Sequence, residues 1–130
     1  MSEHPNAMLL RRLYDAYARR DRDTICEIIA SDCRWNIPGR GPNAGTHVGI
    51  DAILELFRTL MRASKGSAEI ELHDVLANDT TAVALQTGRA TIDGRESALR
   101  EVLVHTIVDG KVVDMREYQF DLYTFDEMMG

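Results

Sequence analysis

The sequence predicts a single α+β domain, residues 1–130, in which helices pack on one face of a curled antiparallel sheet. Three observations support this prediction. Apolar residues recur at three- and four-residue spacing in the first half of the chain, as in amphipathic helices. Alternating and β-branched residues fill positions 68–120 and are divided by short turn sequences. The length is ordinary for one domain with one core.

Two helices are predicted at the start of the chain. The first covers residues 6–20, with an apolar stripe of Leu9, Leu10, Leu13, Tyr14 and Tyr17. The charged triplet 21–23 interrupts this stripe. The segment Thr24-Ile25-Cys26-Glu27 has the pattern of a capping box, so a second short helix is predicted to begin there and to continue to Ala30.

A strand, a loop and a third helix follow. Residues 34–37 alternate like a short strand, which ends at Pro38. Residues 38–49 hold four glycines and two prolines, which predicts a long irregular loop. Asp51 places a negative charge where the third helix begins, and the Lys65-Gly66-Ser67 segment ends that helix.

Four strands are predicted in the second half, over residues 68–76, 81–92, 96–108 and 111–120. The turns between them fall at Asn78-Asp79, Asp93-Gly94 and Asp109-Gly110. A short helix capped by an acidic residue is expected over 121–129. A long sheet of this kind must curl to bury its inner face, and the helices close the cone.

The hairpin turns decide which polar side chains meet on the sheet. A type I turn over 107–111 with a bulge at Gly110 sets Glu101 beside Glu117. The same register pairs His105 with Val113, Leu103 with Met115 and Ile107 with Lys111. A tight turn at Asp109-Gly110 is the alternative, and it shifts the register by one. A tight turn at Asp93-Gly94 sets Gln86 beside Glu101. One face then carries Gln86, Glu101, Glu117 and Gln119, with His105 further along.

These polar residues are the candidates for acid–base chemistry. Two facing glutamates in an apolar pocket do not both ionise easily, so one is expected to hold its proton near neutral pH. Glu101 and Glu117 are therefore candidate catalytic residues, together with His105. The alternatives are that the glutamates pair with Arg89, Arg100 or Arg116 or reach water, and that His105 is an ordinary core histidine.

The composition excludes several other classes of function. Fifteen basic against twenty-one acidic residues give a net charge of −6, whereas a nucleic-acid-binding surface needs an excess of basic residues. No apolar run approaches the roughly 20 residues of a membrane span, so no membrane partner is expected. The first residues do not resemble a secretory signal, so a cytoplasmic location is expected. Cys26 and Cys33 lie in no Cys-x-x-Cys or Cys/His cluster, and we expect neither a metal nor an organic cofactor.

Four segments together resemble the nuclear transport factor 2-like superfamily, in its SnoaL-like and ketosteroid isomerase-like branch. They are the helix pair around Asp21-Arg22-Asp23, the strand Trp35-Asn36-Ile37-Pro38-Gly39, the Ala44-Gly45-Thr46…Gly49 entry to the third helix, and the hairpin Asp109-Gly110-Lys111-Val112-Val113. The similarity covers residues 8 to 121. It implies a cystatin-like conical barrel, with a strongly bent, mainly antiparallel sheet and three N-terminal helices packed on its concave face.

The resemblance also implies a deep apolar pocket and a dimer formed through the outer face of the sheet. It does not fix a reaction, since this scaffold serves several chemistries. A ketosteroid isomerase uses an aspartate base with a tyrosine and a protonated aspartate as the oxyanion hole. The corresponding positions here hold Ile37, Leu13 and Leu103, so steroid isomerisation by that mechanism is not expected. The epoxide hydrolases of this scaffold match only weakly, at Asp114-Met115-Arg116.

Several residues are expected to line the pocket and bind a small apolar organic ligand. These candidate substrate-binding residues are Tyr14, Tyr17, Trp35, Ile37, Phe57, Gln86, Leu103, Met115 and Gln119. Core packing alone is the alternative for the aromatic members. The opposite face of the sheet is too apolar to face water, so a second copy of the chain is expected to cover it. That face carries Val83, Leu85, Val102, Val104, Tyr118 and Phe120.

The sequence thus predicts a protein with a small-molecule pocket. The first hypothesis is cofactor-independent acid–base chemistry of the isomerase, cyclase or lyase type on a small apolar carbonyl or hydroxyl compound. The second is a non-catalytic ligand-binding or interaction module on the same fold.

Overall fold

The computed structural model describes residues 3–129, apart from the side chain of Met129, and contains four helices and one six-stranded sheet. The helices are α1 (Pro5–Arg19), α2 (Arg22–Ile28), α3 (Ile50–Ala63) and α4 (Leu122–Met129). The strands are β1 (Ile29–Ile37), β2 (Gly45–Val48), β3 (Glu69–Ala77), β4 (Thr81–Ile92), β5 (Arg95–Val108) and β6 (Lys111–Gln119). The predicted α+β class is confirmed. None of these helices is long and apolar enough to cross a membrane.

The strands form one open sheet in the order β2-β1-β6-β5-β4-β3. Every neighbouring pair is antiparallel except β1 and β6, which run parallel. The predicted mainly antiparallel sheet is therefore confirmed, but β2 and β3 stay as edges, so the sheet is not closed into a barrel. The predicted terminal helix is confirmed as α4, and Asp121 caps it, because its carboxylate accepts from the Thr124 backbone N–H at 3.1 Å.

The core lies between α1, α3 and the inner face of the sheet. Leu10, Leu13 and Ala16 of α1 are fully buried, as is Ile53 of α3. In β4, the inward positions nearest α1 hold the alanines Ala82 and Ala84, which are also fully buried. Small side chains there let the helix approach the sheet closely, which brings the side chains of α1 within reach of the strands.

The second helix begins earlier than predicted because Asp21 caps it. The Asp21 carboxylate accepts hydrogen bonds from the backbone N–H of Thr24 at 3.2 Å and from its hydroxyl at 2.7 Å. A carboxylate at this position also interacts favourably with the positive end of the helix dipole. The predicted capping box at Thr24 is therefore wrong. The chain turns into strand at Ile29, so β1 is longer than the predicted strand at 34–37.

The glycine-rich segment is not irregular throughout. Residues Gly45–Val48 form β2, which pairs with β1 so that Trp35 lies opposite His47. The Thr46 hydroxyl donates to Asn36 Oδ1 at 2.8 Å. The prediction of a continuous loop over 38–49 is wrong, because backbone pairing to β1 orders its second half.

The hairpin between β5 and β6 differs from the predicted register. Asp109 and Gly110 have φ values of 51° and 75°, as in a tight two-residue turn, so the tight-turn alternative holds at the turn itself. Val113 then forms a bulge, which shifts the register by one more residue. Leu103 consequently pairs with Glu117, and Glu101 with Gln119. The predicted pairings of Glu101 with Glu117, His105 with Val113, Leu103 with Met115 and Ile107 with Lys111 are wrong.

The bulge nevertheless keeps the predicted set of side chains on one face. Val112 and Met115 are three residues apart, yet both are buried, because the extra residue between them restores the alternation. The hairpin between β4 and β5 is as predicted. Its turn falls at Asp93-Gly94, and Gln86 pairs with Glu101. The polar side chains of β4, β5 and β6 therefore meet on the inner face, where α1 and α3 also lie.

Candidate functional site

A chain of hydrogen bonds runs from α1 across three strands. The Tyr14 hydroxyl donates to Gln86 Oε1 at 2.5 Å, and Gln86 Nε2 donates to Glu101 Oε1 at 2.8 Å. Gln119 Nε2 then donates both to Glu101 Oε2 and, at 2.9 Å, to Glu117 Oε2. We call these five residues the carboxylate row. Two glutamates on different strands thus share one amide as a common donor.

The sheet register explains this arrangement. Gln86, Glu101 and Gln119 lie side by side on adjacent strands, and Glu117 is two residues before Gln119 on the same face of β6. Tyr14 reaches the row from above, because α1 packs against β4. Exposed fractions of 4% for Gln86 and 8% for Glu117 show that the row is largely shielded from water.

Burial gives Glu117 the properties of a proton carrier. Burial, and next the nearby charge of Glu101, raise the pKa of Glu117 to about 7. Interaction with the Gln119 amide and with the Trp35 indole N–H opposes this rise. A carboxyl group with such a pKa exists in both protonation states near neutral pH, as a general acid or base requires.

Glu101 has a different environment. Burial raises its pKa too, but hydrogen bonds from Gln119 and Gln86 oppose the rise. Each of its two oxygens accepts from an amide. Donors of this kind stabilise the ionised form, so they limit the rise in the pKa of Glu101.

Arginine does not neutralise these glutamates within residues 3–129. No ion pair in that range includes Glu101 or Glu117, and Arg89 instead pairs with Glu71, with an N–O distance of 3.1 Å. No group of three potential metal ligands among His, Cys, Asp and Glu comes together in the same range. The described polar contacts of the two carboxyls are thus to uncharged donors.

Three aromatic side chains, Tyr17, Phe57 and Trp35, lie next to the carboxylate row, and we call them the aromatic wall. The ring of Tyr17 lies 5.2 Å from that of Tyr14 and 5.2 Å from that of Phe57, and Phe57 lies 5.2 Å from Trp35. The Tyr17 hydroxyl contacts Met115 Sδ at 4.0 Å. The structure therefore brings together most of the predicted ligand-binding residues, with the aromatic rings and Met115 packed next to the carboxylate row.

The two remaining apolar candidates lie beside Glu117. Leu103 is its direct partner on β5 and is buried. Ile37 follows Asn36, which pairs with Arg116, so it lies level with Glu117 on the neighbouring strand. Ile37, like Trp35 and Phe57, is only half-buried, so solvent reaches this side of the site.

His105 lies at the closed end of the interior. It is fully buried, its Nδ1 lies 3.2 Å from the Ala82 carbonyl oxygen, and its ring is 6.1 Å from that of Tyr14. Burial lowers the pKa of His105 to about 4, so its imidazole is neutral at pH 7. Its ring contact with Tyr14 connects it to the carboxylate row.

Gly88 is a site residue that sequence reasoning missed. A Cβ built at this position in β4 would lie 2.7 Å from Glu101 Oε1. The absence of a side chain thus makes room for the buried carboxylate. A glycine inside a strand pattern is a known sign of close approach, but only the register shows that Glu101 is the group involved.

Two concave regions lie elsewhere on the molecule. One, of about 210 Å³, is lined by Leu76, Ala77, Asn78, Thr81 and Val83. The other, of about 500 Å³, is lined by Ser67, Glu69, Arg89, Ala90, Thr91, Glu96, Ser97 and Ala98. The first lies at β3 and β4 and the second at the ends of β3, β4 and β5, and neither includes the carboxylate row. The chemistry of the row makes it the stronger candidate site.

Comparison with known proteins shows what the chain is similar to. Residues 10–115 match the model of the SnoaL-like domain. The uncharacterized protein Rv0034 of Mycobacterium tuberculosis is 28% identical over 122 residues, 93% of each chain. Bal32a, from a soil-derived mobile gene cassette, has a solved structure with a TM-score of 0.92, 30% identity and 96% coverage of both chains. A Xanthomonas campestris protein with a cystatin-like fold has a TM-score of 0.86 at 24% identity, covering 94% of this chain and 95% of its own.

Proposed function

The chain belongs to the SnoaL-like domain family, within the nuclear transport factor 2-like superfamily, and we propose that it is an enzyme whose side-chain carboxyls carry out acid–base chemistry on a small, mostly apolar carbonyl or hydroxyl compound. The observation that supports this proposal is Glu117, a buried carboxyl with a pKa raised to about 7 beside a second carboxylate. A group in this state transfers protons in either direction at neutral pH. The reaction belongs to the isomerase, cyclase or lyase class.

Glu117 acts as the base and then as the acid. One of its oxygens, Oε2, accepts from Gln119, and we assign proton transfer to the other, Oε1. Glu117 takes a proton from carbon next to a carbonyl group and returns it at the same or a different atom. Glu101 stays ionised and keeps the pKa of Glu117 high. Gln119 holds the two carboxyls at a fixed separation.

The aromatic wall binds the apolar part of the substrate. Tyr17, Phe57 and Trp35 provide aromatic surface next to the carboxyl groups, and Met115 supplies an adaptable thioether in contact with Tyr17. Burial raises the pKa of Tyr14 well above its usual value, so this phenol remains a hydrogen-bond donor. It orients Gln86 and, through Gln86, Glu101.

The second candidate function is a ligand-binding module without turnover. The observation that favours it is the saturation of Glu101, both of whose oxygens already accept from amides. A network closed on itself in this way also suits a rigid binding site. The two functions differ in one respect, which is whether Glu117 moves a proton of the bound molecule.

Proton exchange at carbon tests this proposal without knowledge of the natural substrate. Small enolisable ketones such as tetralone are incubated in D₂O with the protein, and incorporation of deuterium next to the carbonyl is followed by NMR. We expect catalysed exchange, and a loss of roughly 100-fold in Glu117→Gln, the usual contribution of a general acid or base. The matched control is Glu96→Gln, an exposed glutamate outside the row, which should leave the rate unchanged.

Two outcomes would count against the enzyme. Equal exchange by the wild type and Glu117→Gln would remove Glu117 from the proton transfer. Ketone binding without any exchange would favour the binding module.

A further inference from the structure

Three buried polar atoms have no hydrogen-bond partner within residues 3–129. They are Trp35 Nε1, Gln119 Oε1 and His105 Nε2. Native proteins pair nearly all such atoms, so each exception needs an explanation, such as a catalytic role or a bound partner. The first two belong to residues that interact with the carboxyl group of Glu117, whereas His105 sits beyond Tyr14.

The orientation of the Gln119 amide follows from its neighbours. Its Nε2 donates to Glu101 and to Glu117, which uses both of its protons. The reverse orientation would aim the carbonyl oxygen at the carboxylate of Glu101, which when ionised has no proton to give. Oε1 is therefore turned away from the pair as a free acceptor, and a hydroxyl group is the partner it lacks.

Trp35 supplies the complementary atom. An indole nitrogen only donates, and no acceptor meets hydrogen-bond geometry with it, although its N–H lowers the pKa of Glu117 and so lies near that carboxyl. The ring is held by Phe57, at 5.2 Å, and by the pairing of Trp35 with Met115 in the sheet. The partner it lacks is an oxygen acceptor, such as a carbonyl.

We propose that Trp35 and Gln119 together select the ligand, with the Trp35 N–H donating to a ligand carbonyl oxygen and Gln119 Oε1 accepting from a ligand hydroxyl. The proposal rests on the proposed function in placing the ligand beside Glu117. It also gives the ligand an orientation, with its carbonyl group toward β1 and its hydroxyl group toward the end of β6. A compound carrying both groups satisfies both atoms, and a compound with only one leaves the other unpaired.

The same geometry gives Trp35 a role in the reaction. When Glu117 takes the proton next to the carbonyl, the electron pair of the C–H bond forms a C=C bond and the carbonyl π pair moves onto oxygen. The N–H of Trp35 stabilises this developing negative charge, because its nitrogen is buried and its ring is held by neighbouring residues. Return of the proton to carbon restores the carbonyl.

The hydroxytetralones, tetralone and tetrahydronaphthol provide matched probes, since they carry both groups, the ketone alone and the hydroxyl alone on one bicyclic frame. Trp35 is the sole tryptophan of the chain, so its indole N–H gives a single NMR signal. We expect ketone-bearing probes to shift this signal downfield and tetrahydronaphthol to leave it in place. We expect the side-chain amide signal of Gln119 to respond to hydroxyl-bearing probes only.

Affinity measurements complete the test. At least one positional isomer of hydroxytetralone should bind about tenfold more tightly than either single-group probe, as one added buried hydrogen bond provides. Trp35→Phe should remove about tenfold in affinity for the ketones and none for tetrahydronaphthol. An indole signal that ignores ketones, or equal affinities across the set, would overturn the proposal even if Glu117-dependent exchange is observed. The probe comparison on the unmodified protein stands even if the variant fails to fold.

Discussion

The carboxylate of Glu101 lies against Gly88 on the neighbouring strand, where a Cβ would come within 2.7 Å of Oε1. Gly88→Ala should therefore displace this carboxylate and weaken its hydrogen bond with Gln86, while the strand persists, because the conflict involves the flexible end of a side chain. Since the charge of Glu101 helps to raise the pKa of Glu117, that pKa should fall in the variant. NMR titration of Glu117 measures it. The control is Gly88→Ala in a Glu101→Gln background. There the alanine should not change the pKa of Glu117 further, because residue 101 no longer carries a charge. An unchanged pKa in the single variant would contradict the coupling.

Removal of the Tyr14 hydroxyl should destabilise the protein. Tyr14→Phe leaves Gln86 Oε1 without its donor at a position that is 4% exposed, and an unsatisfied buried group costs about 1–3 kcal/mol. Urea denaturation of the wild type and the variant gives the difference in free energy of unfolding. Tyr123→Phe is the matched control, because Tyr123 is 87% exposed and the change should be neutral. Equal losses of unfolding free energy in both variants would show that the buried hydrogen bond does not stabilise the protein more than an exposed hydroxyl does.

Sequence patterns predicted the elements of this fold better than their pairing. The helical stripe through Leu13 and Tyr14 and the turn at Asp93-Gly94 depend on local chemistry and were predictable. The bulge at Val113 was not, because it depends on which of its neighbours are buried after the sheet has formed. Glu101 and Glu117 were identified as a pair through a register that proved wrong. The prediction of a shared face survived because the turn and the bulge together shift the register by two residues, and side chains alternate with a period of two.

Two of the contacts that give the site its properties had no sequence signal. Gln119 bridges the glutamates only because β6 pairs with β5 two residues away from the predicted register. The parallel pairing of β1 with β6, which brings Trp35 beside Met115, joins residues about eighty positions apart and leaves no local pattern. Gly88, the site residue that was missed, did carry a hint, as a glycine inside a strand.

Protonation of Glu117 should make folding stability depend on pH. Its pKa is raised from 4.5 to about 7 in the folded protein, so the folded state binds this proton more tightly than the unfolded state. Its contribution to stability is fully present below about pH 4.5 and is lost as the pH rises to about 7, a change of about 3 kcal/mol. Glu117→Gln should remove this slope, as measured by denaturation across that range. A wild-type slope identical to that of the variant would contradict the raised pKa.

His105 should contribute with the opposite sign. Its pKa falls from 6.5 to about 4 on folding, so its contribution is fully present above pH 6.5 and is lost as the pH falls toward 4. The C2 proton signal of His105 in the folded protein should remain that of a neutral ring down to about pH 4. The exposed His73 gives a signal for comparison in the same spectrum. Titration of His105 near pH 6.5 would show that its environment is more open than the described packing.

The outer face of the sheet should hold two copies of the chain together. Tyr118 and Phe120, 52% and 88% exposed, adjoin the half-buried Val83, Leu85, Val102 and Val104 on this face. Sedimentation equilibrium should give a homodimer of about twice 14.6 kDa. Phe120→Lys should weaken the dimer, whereas Tyr123→Lys, on the exposed side of α4, should not. A wild-type monomer at tens of micromolar would contradict this expectation.

The ionisation of Glu117 beside Glu101 is the central claim, and titration of the two carboxyl carbons by ¹³C NMR tests it most directly. The account predicts two separated steps, with the upper step near pH 7, reported by Glu117 and absent in Glu117→Gln. Glu96 serves as an exposed reference in the same spectra. Two independent titrations of Glu101 and Glu117 near the free value of roughly 4.3 would contradict the account, since neither group would then carry a proton at neutral pH.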